Sequence, residues 1–113
     1  MKIENNSQNN AIHVAKDSKM FLELRKIVNR FDPVHLVEHG APDDEHDRLT
    51  TEILDLLLQG SMIEIRNLLI HCLIWYGYDP HDFKEEDRER LNRNVERTWK
   101  EIIDWYATSQ KIN

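Results

Sequence analysis

The chain has 113 residues, 40% hydrophobic and 32% charged, with one cysteine and a formal net charge of −6. That size and balance describe one globular domain with a modest core, and they exclude a disordered polymer, a disulfide framework and a Cys-rich zinc fold. The acidic balance speaks against nucleic acid, because a polyphosphate is held by clustered Lys and Arg. No apolar run reaches the ~18 residues of a membrane span, and the start of the chain lacks a signal-peptide core, so the expectation is a cytoplasmic protein with no membrane partner.

Residues 1–15 are Asn-rich without helical periodicity and read as a flexible tail, followed by one helical domain over 16–108 and a short C-terminal tail over 109–113. The first helix is expected from Ser18 to Arg30: Met20, Phe21, Leu24, Ile27, Val28 and Phe31 recur at three- and four-residue spacing. Asp17 or Ser18 is placed to cap it. Asp32-Pro33 then opens a short turn, with Asp as N-cap, Pro at the first position and Phe31 and Leu36 as a staple. Gly40 is positioned to end it.

A second helix is expected from Asp43 or Asp44 to Gly60, with the DDEHD run as the acidic first turn that favours the helix dipole and Leu49, Ile53, Leu56 and Leu57 as its core stripe. Ser61 and Glu64 form a capping-box pattern at the start of a third helix that runs to Tyr76 and stops at Gly77. Its second half, LLIHCLIWY, is apolar nearly all round, as in a helix central to a bundle or covered by another subunit. Tyr78-Asp79-Pro80 repeats the device of Phe31-Asp32-Pro33, with Phe83 in the staple position of Leu36. The last helix is expected from Pro80 to Thr108, with Leu91, Val95, Trp99, Ile102, Ile103 and Tyr106 facing inward and Glu86–Arg90, Glu89–Arg93 and Glu96–Lys100 as surface i,i+4 pairs. No segment alternates at the two-residue period of a half-buried strand. The expected fold is all-α, a compact four-helix bundle-like domain with one extra short helical turn.

The charge is concentrated. Residues 31–55 carry eight acids, Asp32, Glu38, Asp43, Asp44, Glu45, Asp47, Glu52 and Asp55, against the single base Arg48, a local charge of −7. Such a block either engages a basic partner or is a solvated face whose acids serve as caps and dipole partners.

His35, His39 and His46 in the same stretch are the candidates for a metal, since imidazole and carboxylate at close spacing suit zinc, nickel or iron. The chain lacks HExxH and the Glu-x-x-His of di-iron bundles, and Gly40 cuts the His35–His39 face short. A capped, solvated loop is therefore preferred, and no cofactor is expected. His71 and Cys72 are adjacent and so point ~100° apart on a helix, which makes a buried inert thiol a better reading than a thiol–imidazole pair. The three isolated glycines make no phosphate loop, and no serine sits in a GxSxG elbow. A helix-turn-helix reading fails because the third helix offers a single Arg among aliphatics. Trp75, Trp99 and Trp105 either close the bundle or anchor an interface.

Phe31, Asp32, Pro33, Leu36, Pro42, Asp44 and Glu45, an aromatic-Asp-Pro turn followed by Pro-x-Asp-Glu leading into a helix, resemble a small all-helical family of uncharacterised proteins from Bacillus-type bacteria, the YugE-like domain of unknown function. The resemblance spans residues 18–76 and stops before the charged last helix. It implies a compact helical domain and carries no catalytic residues.

The functional expectation is a non-enzymatic interaction module, immunity- or antitoxin-like in one version, whose acidic face of Glu38, Asp43, Asp44, Glu45, Asp47, Glu52 and Asp55 meets a basic protein. A structural or regulatory homodimer through the second and third helices is the second reading, and a metal-binding enzyme or sensor at His35, His39 and His46 the third.

Overall fold

The computed structural model describes residues 18–111. The expected N-terminal tail over 1–15 and the capping role offered to Asp17 lie outside the described residues. Four helices account for most of what is described: α1 Lys19–Phe31, α2 Asp47–Gln59, α3 Met62–His71 and α4 Glu85–Lys111. Three short 3₁₀ turns, Pro33–His35, Cys72–Tyr76 and Pro80–Asp82, join them, and no strand occurs among the described residues. The fold is all-α, as the periodicity requires.

The main contacts run α1 to α2, α2 to α3, α3 to α4 and α4 back to α1, so the helices close a ring around one core. Phe21, Leu24, Val28, Leu49, Ile53, Leu54, Leu57, Ile65, Leu69, Val95 and Ile102 are at most 2% exposed. Each such side chain contributes about 1.5–3 kcal/mol by leaving water. The expected α1 stripe is buried except for half-buried Met20, and Ser18 caps the helix, its hydroxyl accepting the Phe21 N–H at 3.1 Å; on α2, Leu49, Ile53 and Leu57 are buried as expected, with Leu54 in the core and Leu56 partly buried.

The tryptophans stitch the ring. Trp99 Nε1–H donates to the Met62 carbonyl at 2.9 Å, and Trp105 Nε1–H donates to Glu23 Oε1 at 2.9 Å, tying α4 to both α3 and α1. Trp75 lies under the Arg48 guanidinium, 3.8 Å from ring centroid to Cζ.

Several boundaries differ from the sequence expectation. The α2 helix starts at Asp47, because residues 43–46 form turns closed by Glu45 N–H to Pro42 O and Asp47 N–H to Asp44 O. Only Asp47 is an acid in its first turn, so Asp43, Asp44 and Glu45 are not dipole partners. The Ser61–Glu64 capping box does not form: Ser61 makes no side-chain cap bond. Its N–H instead donates to Leu56 O while the Gly60 N–H donates to Leu57 O, a Schellman closure that needs the left-handed Gly60 (φ 80°). The third helix tightens from α to 3₁₀ at Cys72 before Gly77 stops it. Pro80 begins a separate turn, and α4 begins at Glu85 and continues through Lys111, into the stretch expected to be a tail. The surface pairs on α4 also differ: Arg90 meets Asp87, Lys100 meets Asp104, and Glu96 crosses to Arg66 on α3.

Candidate functional site: a buried Asp–His–Tyr chain beneath an acidic rim

The segment between α1 and α2 holds most of the unusual chemistry. Asp32 ends α1 in the left-handed region (φ 43°, ψ 67°), with its N–H on the Val28 carbonyl. Val34 (φ 56°) and His35 (φ 59°) are also left-handed. Asp tolerates this conformation, but for a β-branched valine it is a true outlier that costs about 1–2 kcal/mol. Something must hold the backbone there.

The holder is the Asp32 carboxylate. Its side chain is 9% exposed. Oδ1 accepts the Val37 N–H at 3.0 Å and Oδ2 accepts the Glu38 N–H at 2.9 Å, which folds residues 33–38, the strap that follows α1, back over its end. Oδ1 also faces His46 Nε2 at 2.8 Å, and the His46 side chain is completely buried. Because an ionised carboxylate only accepts, Nε2 carries the proton. Nδ1 is 2.7 Å from the Tyr76 hydroxyl and accepts its proton when the imidazole is neutral. The rings of His46 and Tyr76 meet edge to face at 5.5 Å. Burial pushes the Asp32 carboxyl up, but the His46 bond and the two backbone N–H groups outweigh it and hold it below the usual carboxylate range. Burial pushes the Tyr76 hydroxyl up to about 12, helped by the surrounding negative charges, so it stays protonated. A phenol so held is a hydrogen-bond donor, not a nucleophile. The chain joins three segments that are distant in sequence: the strap, the entry to α2 and the turn after α3.

A second bond set pins the acidic run from the other side. Asp47 is buried, and both its oxygens are taken by Arg25 of α1, Nε at 2.9 Å and Nη2 at 2.7 Å. The Arg25 guanidinium is raised chiefly by that hydrogen bond, against a desolvation cost and with Asp44 and Asp43 adding to the field. Asn29 Nδ2 donates to the Asp43 carbonyl at 2.9 Å. Asp43, Asp44 and Glu45 thus project from a loop held at both ends, all exposed, and no ion pair among the described residues uses their carboxylates.

The residues expected to form one acidic face therefore divide. Asp43, Asp44 and Glu45 form the rim. Glu38 is exposed and bonded to His35 Nδ1 at 2.9 Å. Glu52 is half-buried and paired with Arg48 at 3.2 Å, and Asp55 is half-buried on α2. Asp47 is removed from any such face by its burial and its pairing with Arg25.

The histidines divide too. His46 points inward with both nitrogens engaged, His39 Nδ1 sits 2.9 Å from the His35 carbonyl, and of these three only His35 turns to a carboxylate at the surface. The expected trio of His35, His39 and His46 does not converge. Asp32, His35 and Glu38 instead bring one ligand atom each within 4.8 Å of one another. Two of these side chains, His35 and Glu38, are about two-thirds exposed and bonded to each other, so the group is not held ready for a metal ion. Cys72 is fully buried with its thiol on the Leu69 carbonyl, and burial pushes it up to about 12. His71 beside it is exposed.

The Asp32–His46–Tyr76 chain is not legible in the sequence. Its one trace was a histidine inside an acidic run, where the solvated reading was the natural choice. No described helix is long and apolar enough to cross a membrane. Comparison with models of protein families, with curated proteins and with solved structures gives no match.

Proposed function

We propose that the protein is a non-catalytic interaction module whose acidic rim, Asp43, Asp44 and Glu45 with Glu38 beside it, binds a basic surface on another protein. The observation that carries this reading is the contrast within the run. Neighbouring Asp47 is consumed by the fold, whereas the three rim carboxylates are left exposed, without an ion pair among the described residues, on a loop anchored by Asn29 and Arg25. Anchoring lowers the ordering cost of binding, and concentrated like charge steers a cationic partner and raises its association rate. An immunity- or antitoxin-like neutraliser is one concrete version.

The test is affinity capture from the native host, comparing wild type with an Asp43→Lys, Asp44→Lys, Glu45→Lys variant. Asp47 is left untouched because its loss would disturb the fold. Recovery of a basic protein that the folded variant loses supports the reading. Identical recovery by both chains overturns it. A homodimer is the second reading, supported by Ile63 at 63% exposed on α3 and Ile74 at 49% on the turn after it. A monomer by light scattering at high micromolar concentration removes it.

A further inference from the structure

Below the strap lies an open pocket of about 370 Å³, walled by Phe31, Leu73, Phe83 and Leu91. It falls at the small end of the ~300–1,000 Å³ range in which drug-sized ligands bind. The rest of its lining is mixed, with Asp32, His35, Tyr78, Asp87, Arg90 and Asn94 supplying polar groups beside the apolar walls. Asp32 lines it, a charged side chain more than nine-tenths buried. Asp32 Oδ1 already takes two hydrogen bonds, from His46 and Val37, whereas Oδ2 takes one, from Glu38. A carboxylate oxygen has two lone-pair directions, so Oδ2 retains one acceptor position. Asp87 and Arg90 also line the pocket and pair with each other at 2.9 Å. The charge left over inside is the buried anion, and in low-dielectric surroundings it attracts a cation more strongly than a surface carboxylate does. Val34 and His35, both at positive φ, complete the wall next to Asp32, so this side of the pocket is held in a backbone conformation that the residues themselves disfavour.

We propose that this pocket binds a small organic cation, a primary amine on an aromatic or branched apolar body, with the ammonium on Asp32 Oδ2 and the body between Phe31, Leu73, Phe83 and Leu91. None of the rim residues lines the pocket, and the proposal does not depend on their having a partner.

The probe is 2-phenylethylamine, titrated at neutral pH into the full-length protein and read by amide chemical shifts. Phenylacetate, with the same ring and the opposite charge, is the control. Saturable shifts at Asp32, Leu73 and Leu91 with the amine, and binding at least about tenfold weaker with the acid, are expected. Leu91→Trp fills the cleft from half-buried α4 and abolishes those shifts while circular dichroism stays unchanged. Asp32→Asn weakens the amine by about tenfold or more. Because Asp32 also supports the fold, the amine–acid comparison on the wild type decides the matter if that variant does not fold. Equal affinity for the two probes, or no saturation by about 10 mM amine, overturns the proposal. So does full binding by a folded Leu91→Trp.

Discussion

Phe31-Asp32-Pro33 and Tyr78-Asp79-Pro80 are the same local device, and the molecule uses them in opposite ways. Asp79 behaves as the tripeptide suggests. It is extended (φ −102°, ψ 115°), exposed, and its carboxylate accepts the His81 N–H at 2.9 Å, with Tyr78 half in solvent. Asp32 is left-handed and buried, and its carboxylate reaches past the turn to Val37, Glu38 and His46. The difference originates elsewhere in the chain. Opposite Asp32 there is a buried histidine and a tyrosine, whereas beside Asp79 there is only solvent and His81. A capping aspartate becomes an organising centre when a buried donor faces it.

The comparison is easiest to break at Asp32. Asp32→Ala leaves buried N–H groups and an imidazole without their acceptor and should cost about 3–5 kcal/mol in urea unfolding. A loss below about 1 kcal/mol would show the two Asp-Pro turns to be equivalent after all.

Acid sharpens the same contrast. The folded Asp32 carboxyl lies below its unfolded value of about 3.8, so the unfolded chain takes up the proton first. Its contribution is complete above the unfolded value and lost as pH falls through the lower, folded one. Urea midpoints should therefore drop between pH 5 and pH 2 more steeply in the wild type than in Asp32→Asn. Parallel slopes would mean that Asp32 is not the group being titrated.

Tyr76→Phe removes a single donor from the far end of the chain and should cost about 1–2 kcal/mol, since His46 Nδ1 loses its buried partner. Asp79→Ala should leave the melting temperature within experimental scatter, because its turn is exposed and water replaces the carboxylate. A large loss there would erase the distinction between the two turns.

How much of this could be read from residues alone depends on the range of the interaction. The α1 stripe, its Ser18 cap and the Gly60 and Gly77 stops follow from spacing and local sterics, and all are found where expected. The start of α2 did not follow, because DDEH suits a first turn in isolation while His46 is drawn into the core by Asp32 and Tyr76, 14 and 30 residues away. The Ser61 box failed because a Schellman closure of the preceding helix already claimed the Ser61 N–H. The acidic run was visible as charge, but the separation of Asp47 from Asp43, Asp44 and Glu45 was not, since it rests on Arg25, 22 residues earlier.

By itself the sequence determined the all-α class, the apolar stripes of α1 and α4 and the glycine stops, because these depend on periodicities and steric rules that act over a few residues. Only the tertiary structure decided which carboxylates are buried and which are exposed, which histidine is structural, and which charged groups line a pocket. Those outcomes depend on which distant donor faces each acceptor, and that is settled when the four helices close on one another.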